Sequence, residues 1–202
     1  MYTCGILWRL GHLRHGWNSG SIVCHSVGDA GVRKYERVQL LFRVALRRFA
    51  ITAVTSHPHI RSARASDLDA LVELEHHTFT TDRISRAQYR RHIAGATAAV
   101  LVAENHDLLG SAVVFFRRNS DGARLYSVAV SHHTRGQGLG DTLVDAAEKA
   151  ARQRGSRRIF LEVRHNNAGA IRLYERRGYV RIGTIPAFYE DGEDAWRYEK
   201  TL

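Results

Sequence analysis

At 202 residues the chain has the length of one domain with an extension, and 44% hydrophobic with 25% charged residues exclude a disordered composition. Two cysteines exclude a disulfide framework. The net charge of +10 points to anionic partners, but residues 1–57 hold eight basic against two acidic residues (+6) and the rest 22 against 18 (+4), so the domain itself is only mildly cationic.

Residues 1–57 read as a basic N-terminal extension, poorly ordered or partly helical, and residues 58–202 as the folded domain, with the boundary at His57-Pro58-His59. Cys4 and Cys24 lie in the extension with His12, His15 and His25, but without the paired-ligand spacing of a metal site, so no metal is expected. The segment Tyr35 to Ala53 looks helical and partly amphipathic; it could cover the domain, bind an acidic surface, or act as an Arg-rich presequence. Its apolar passage "VQLLFRVALRRFAITAV" is broken by Arg43, Arg47 and Arg48, so it predicts neither a membrane span nor a secretory signal. Cytoplasmic localisation without a membrane partner is expected, and the placement of the charge disfavours nucleic acid.

Beyond the boundary, Ile60 to Ala65 alternates as a strand, and Ser66 reads as the cap of a helix from Asp67 to His76, with Asp69 at the capping-box position. Ser85 caps a second helix over Arg86 to Ala94. "AAVLVAE" and "LLGSAVVFFRR" then read as strands joined at Asn105-His106-Asp107, a hairpin signal, and "ARLYSVAV" follows as a third antiparallel strand.

The next stretch reads strand, loop, helix: β-branched Val128 and Val130 precede Gly136, Gly138 and Gly140, and Leu139, Leu143, Ala146, Ala147 and Ala150 recur at helical spacing. Glycines allow sharp turns and close approach of a ligand to backbone N–H groups, and the first N–H groups of a helix lack internal partners at the positive end of its dipole. Two readings compete here, an ordinary turn or an anion site to which Arg135 adds a charged donor. The spacing R-G-Q-G-L-G lacks the third glycine of G-x-G-x-x-G and has no following Gly-Lys-Ser/Thr, which points away from NAD and ATP.

Gly155 ends that helix, "RRIFLEVR" is a strand, and "NAGAIRLYERRG" is a short helix stopped by Gly178. "YVRIGTI" and "AWRYEKTL" close the chain as strands around Tyr189-Glu190-Asp191-Gly192. The order β-α-α-β-β-β-α-β-α-β-β predicts an α/β (α+β mixed) fold, a mixed sheet flanked by helices.

Taken together, the glycine loop, "LEVRHNNAGAIRLYERRGY" and "FYEDGEDAW" resemble the GNAT family of acetyl-CoA-dependent N-acetyltransferases over about residues 59–202. The family's Q/R-x-x-G-x-G/A pattern matches Arg135, Gly138 and Gly140. Its second signature matches Asn167, Ala170, Leu173, Tyr174, Gly178 and Tyr179. More narrowly, "LEVR" with "NAGAIRLY" is similar to the bacterial ribosomal-protein alanine acetyltransferases, although Thr80-Thr81-Asp82-Arg83 replaces their proline and tryptophan. The resemblance implies a largely antiparallel sheet with splayed central strands. It also implies acetyl-CoA as co-substrate: Arg135, Gly136, Gln137, Gly138, Leu139 and Gly140 at the pyrophosphate, the main chain of Val128, Ala129 and Val130 along the pantetheine arm, and Asn167 on the same arm. Asn167 also reads as a plain helix cap.

Direct transfer needs a base, an oxyanion donor and an acid. Glu162, on a strand otherwise of Ile159, Phe160, Leu161 and Val163, is the candidate base, and apolar walls would raise its pKa; the alternative is a strand glutamate paired with Arg124 or Arg164. Tyr174 is the candidate acid, since a phenol with pKa ~10 stays protonated at neutral pH; packing beside Leu173 is its plain alternative. A backbone N–H near Val128 to Val130 would hold the oxyanion. Tyr189 is the candidate anchor for an acceptor peptide. A protein or peptide N-terminal α-amine, with a ribosomal protein among the candidate partners, is the expected acceptor. A small amine, drawn in by Glu190, Asp191, Glu193 and Asp194, and a non-catalytic acetyl-CoA sensor are the alternatives.

Overall fold

The computed structural model describes residues 58–202, so the extension expected over 1–57 lies outside the described residues. Strands β1 (His59–Ser62), β2 (Ala98–Asn105), β3 (Asp107–Phe116), β4 (Gly122–Val130), β5 (Arg158–Arg164), β6 (Val180–Ile185) and β7 (Ala195–Thr201) form one sheet in the order β1-β2-β3-β4-β5-β7-β6. Every pairing is antiparallel except β4 with β5. Helices α1 (Leu68–Thr78), α2 (Arg86–Ala94), α3 (Leu139–Gln153) and α4 (Ala168–Arg176) flank it. The β2–β3 turn is at His106, whose φ of 65° is the left-handed conformation that a tight connection requires.

Alternation along the strands divides the core in two. Leu101 and Ala103 of β2 and Ile159, Leu161 and Val163 of β5 pack with Leu139, Leu143, Val144, Ala147 and Ala151 of α3. Val100, Val102 and Val113 pack instead with Leu68 and Leu71 of α1 and Tyr89 of α2. The period of two therefore turns Phe160, Glu162 and Arg164 of β5 away from α3, toward the α1–α2 side. Gly110 of β3 permits the close seating of α3, because a Cβ there would lie 2.9 Å from both the Ala129 carbonyl oxygen and Leu143 Cδ1. Truncating a side chain such as Leu143, fully buried, would cost about 2–5 kcal/mol.

The start of α1 differs from the sequence expectation. Strand β1 ends at Ser62, a 3₁₀ turn occupies Ala65–Asp67, and neither Ser66 nor Asp69 caps the helix. Asp67 accepts from the Arg64 backbone N–H at 2.6 Å and takes two bonds from Arg61, at 2.7 and 3.0 Å, while Asp69 pairs with Arg86 of α2. A carboxylate already ion-paired to the strand outcompetes a hydroxyl for the turn. At α2, by contrast, the expected cap is in place: Ser85 Oγ accepts from Gln88 N at 3.3 Å, and Ser85 N donates to Gln88 Oε1 at 2.7 Å. Glu75 joins the two helices from inside, accepting from Ile84 N (3.0 Å) and from the Tyr89 hydroxyl (2.8 Å), and burial raises its pKa.

Candidate active site

Strands β4 and β5 pair only over Gly122–Arg124 and Arg158–Phe160. Immediately beyond, β4 carries an extra residue: its register with β3 passes from Val114↔Leu125 to Val113↔Ser127 and leaves Tyr126 unmatched. Such a bulge bends its strand and sharpens the twist. It sits where β4 leaves β5, so that from Leu125 to Val130 the β4 main chain is paired on the β3 side alone. Ala129 is buried, and Val128 and Val130 are partly buried against the core, so their side chains hold the strand in place while their backbone borders the opening.

The glycine loop lies at the end of that opening. Gly136 and Gly138 have φ of 77° and 81°, and a Cβ on either would meet nothing within 4 Å, which leaves open space beside the backbone. Gly138 caps α3 with no side-chain bond, so the first N–H groups of the helix have no side-chain acceptor. Leu139 is buried in the core, which orients its turn, and Gln137 donates to the His133 carbonyl at 3.1 Å. Exposed Arg135 donates from Nε to the Val130 carbonyl at 3.4 Å. The acid of the first helical turn, Asp141, is drawn off by Arg176 at 2.9 Å. Loop, dipole and free amides together suit a polyphosphate.

Glu162 is two residues past the last β4–β5 pair. Its side chain is 3% exposed, but its surroundings are not the apolar walls expected: Oε1 accepts from Arg197 Nε and Nη2 at 3.0 and 2.7 Å, and Oε2 from Arg124 Nε at 2.8 Å. Arg164, the other expected partner, is engaged elsewhere. Arg197 reaches Glu162 because β7 lies beside β5, with Glu162 directly opposite Arg197. A carboxylate offers about four acceptor positions, so the three bonds leave one. A cavity of about 520 Å³ opens beside this cluster, between the start of β4, Phe160 and Phe188.

Tyr174 of α4 is buried, edge-on to Tyr179 with centroids 5.6 Å apart, and burial pushes its phenol well above the usual range, with Tyr189 adding to the shift. A phenol so placed holds its proton. Tyr189, on the β6–β7 connection, is itself pushed up to about 12, first by burial, with Glu162 contributing. Asn167 does act as a helix cap, accepting from Ala170 N at 3.1 Å.

Sequence reasoning named Arg164 only as a partner for Glu162 and missed what it holds together. Its guanidinium donates twice to Asp191 (3.0 and 2.8 Å), bonds Thr81 Oγ1 (2.8 Å) and Asp82 (3.3 Å), and stacks over the Tyr189 ring at 4.0 Å. It fastens the α1–α2 loop to the β6–β7 loop. The signal was present in the strand alternation, which puts Arg164 on the same face as Glu162.

Residues 66–179 match the Acetyltransferase (GNAT) family. A Bacillus subtilis protein named as a ribosomal protein bS18-alanine N-acetyltransferase is 32% identical over 138 residues, 67% of this chain and 90% of the relative. The streptothricin acetyltransferase of Streptomyces lavendulae is 33% identical over 106 residues, 50% of this chain and 56% of the relative. Among solved structures, the ribosomal-protein-S18-alanine N-acetyltransferase of Escherichia coli superposes with a TM-score of 0.64 at 27% identity, covering 72% of this chain and 94% of that one. The parted strands, the open glycine loop and these matches agree: the chain belongs to the GNAT family and is an N-acetyltransferase.

Proposed function

We propose that this enzyme moves an acetyl group from acetyl-CoA directly to a primary amine, and that the amine is the N-terminal α-amine of a protein or peptide. The reading is supported most by one observation, the departure of β4 from β5 beside an open glycine loop, with Glu162 flanking the gap. The main chain of Val128, Ala129 and Val130 receives the pantetheine arm as an added strand would, with Asn167 contacting the same arm. Arg135 and the N–H groups of Gly136 to Gly140 hold the pyrophosphate.

Glu162 takes the amine proton, directly or through a water at its remaining acceptor position. The amine nitrogen bonds to the thioester carbon, and a β4 backbone N–H carries the oxyanion. As the C–S bond breaks, the Tyr174 hydroxyl gives its proton to the thiolate. Tyr189 and the loops tied by Arg164 frame the acceptor. An α-amine, with pKa ~7.7–8.0 against ~10.4 for lysine, asks far less of a base whose oxygens are already engaged by two arginines. A ribosomal protein N-terminus is one candidate acceptor.

Thiol release tests this on wild type and Tyr174→Phe, with N-terminal peptides beside Nα-blocked lysine peptides and polyamines. Wild type should favour α-amines at least about tenfold in kcat/KM, and the variant should lose about a hundredfold. Faster transfer to blocked lysine peptides or polyamines would sink the α-amine reading.

A further inference from the structure

We infer that the acceptor carries a carboxylate close to its reacting amine, as a peptide with Asp or Glu among its first residues does, and that Arg117, Arg124 and Arg197 select it. This rests on the acceptor entering the cavity beside Glu162.

That cavity, about 520 Å³, is within the roughly 300–1,000 Å³ of ordinary small-ligand sites. Three of its lining residues are arginines and one is a carboxylate. Glu162 already balances part of that charge, and both arginines that bond it keep unused donors. Arg124 engages Glu162 through Nε only, and Arg197 through Nε and Nη2; their side chains are 31% and 43% exposed. Arg117, exposed at the rim, has no ion-pair partner among the described residues. Phe115, Phe160 and Phe188 supply apolar wall between these charges, which strengthens their pull on an anion relative to open water.

The acids that would invite a polycation are on the β6–β7 loop, outside the lining of the cavity, and three of the four have partners. Asp191 is held twice by Arg164, Asp194 accepts from Ala187 N at 2.9 Å, and Glu193 lies 3.2 Å from His165. Glu190 alone of that group has a carboxylate without a hydrogen-bond or ion-pair partner among the described residues. The lining of the cavity itself is therefore cationic, three arginines against Glu162, and an acceptor bearing negative charge is both steered in and held there.

The test uses the full chain and acceptors matched except for charge: peptides beginning Ala-Asp, Ala-Ala and Ala-Lys, with free glutamate as a small arm. The expected order of kcat/KM is Asp over Ala over Lys, with at least about a tenfold span at low salt that shrinks severalfold in 0.5 M NaCl. Arg117→Glu, a surface change, should cut the span to less than about threefold. Free glutamate outrunning all peptides would support the carboxylate inference while sinking the peptide reading. Transfer to α-amines with no charge order, or with the Lys peptide ahead, would overturn the inference while the peptide reading stands.

Discussion

Two carboxylates, Glu162 on β5 and Glu148 on α3, are each 3% exposed and each surrounded by cations. Glu162 lies between Arg124 and Arg197; Glu148 takes both oxygens to Lys200 at 2.9 Å, with Arg152 at 3.5 Å and Arg177 at 3.7 Å. Burial and pairing do not tell them apart. What differs is the neighbourhood: the cations of Glu148 join α3, α4 and β7 across packed protein, whereas Glu162 stands past the last β4–β5 pair and lines a cavity. A buried charged carboxylate becomes a candidate base only where a substrate can reach it.

Glu162→Gln and Glu148→Gln put that difference to the test. Glu162→Gln should lower kcat/KM by about 10²–10⁴-fold, the range of general-base catalysis, with little change in Tm because both its arginines are partly solvated. For Glu148→Gln we expect kcat/KM within about twofold of wild type and a stability loss of roughly 2 kcal/mol, less than for a fully buried pair because Arg152 is half exposed. In a domain of this size that is about 4–8 °C in Tm. Equal activity losses in two folded variants would erase the distinction.

The loop clamp is a smaller effect on the same side of the molecule. Arg164→Ala frees the α1–α2 loop from the β6–β7 loop and removes the cation over Tyr189. On the proposed reading Arg164 organises the acceptor cleft and touches no reacting group, so the loss should be about tenfold in kcat/KM and mostly in KM. A drop in kcat at unchanged KM would move Arg164 into the chemistry.

Most elements were legible because their signals are local: the His106 hairpin, the Ser85–Gln88 box, the stops at Gly155 and Gly178, both with positive φ. The glycine loop was legible for the same reason. The environment of Glu162 was legible only in part: Arg124 was an expected partner, whereas the pairing with Arg197 was not. It depends on β7 inserting between β5 and β6, which brings Arg197 opposite a residue 35 positions away, and no local pattern encodes that order. The Ser66 cap failed likewise, because Arg61, placed by β1, fixes Asp67 instead.

That last competition gives the smallest predicted effect, and its sign is set by pH. The hydrogen bonds from Arg61 hold the Asp67 carboxyl below the usual carboxylate range, helped by the Arg64 backbone N–H, and its side chain is 12% exposed. A folded-state pKa below the unfolded ~3.9 means that Asp67 contributes stability above that value and loses it as pH falls through the folded pKa. Asp67→Asn should therefore cost about 1 kcal/mol at pH 7, seen as a lower urea midpoint, and the two proteins should converge as the medium becomes more acidic than the folded pKa. A gap that stayed constant down to strong acid would mean that Asp67 acts through the geometry of the turn, which an asparagine disturbs at any pH, and that its pairing with β1 is incidental to holding α1 in place.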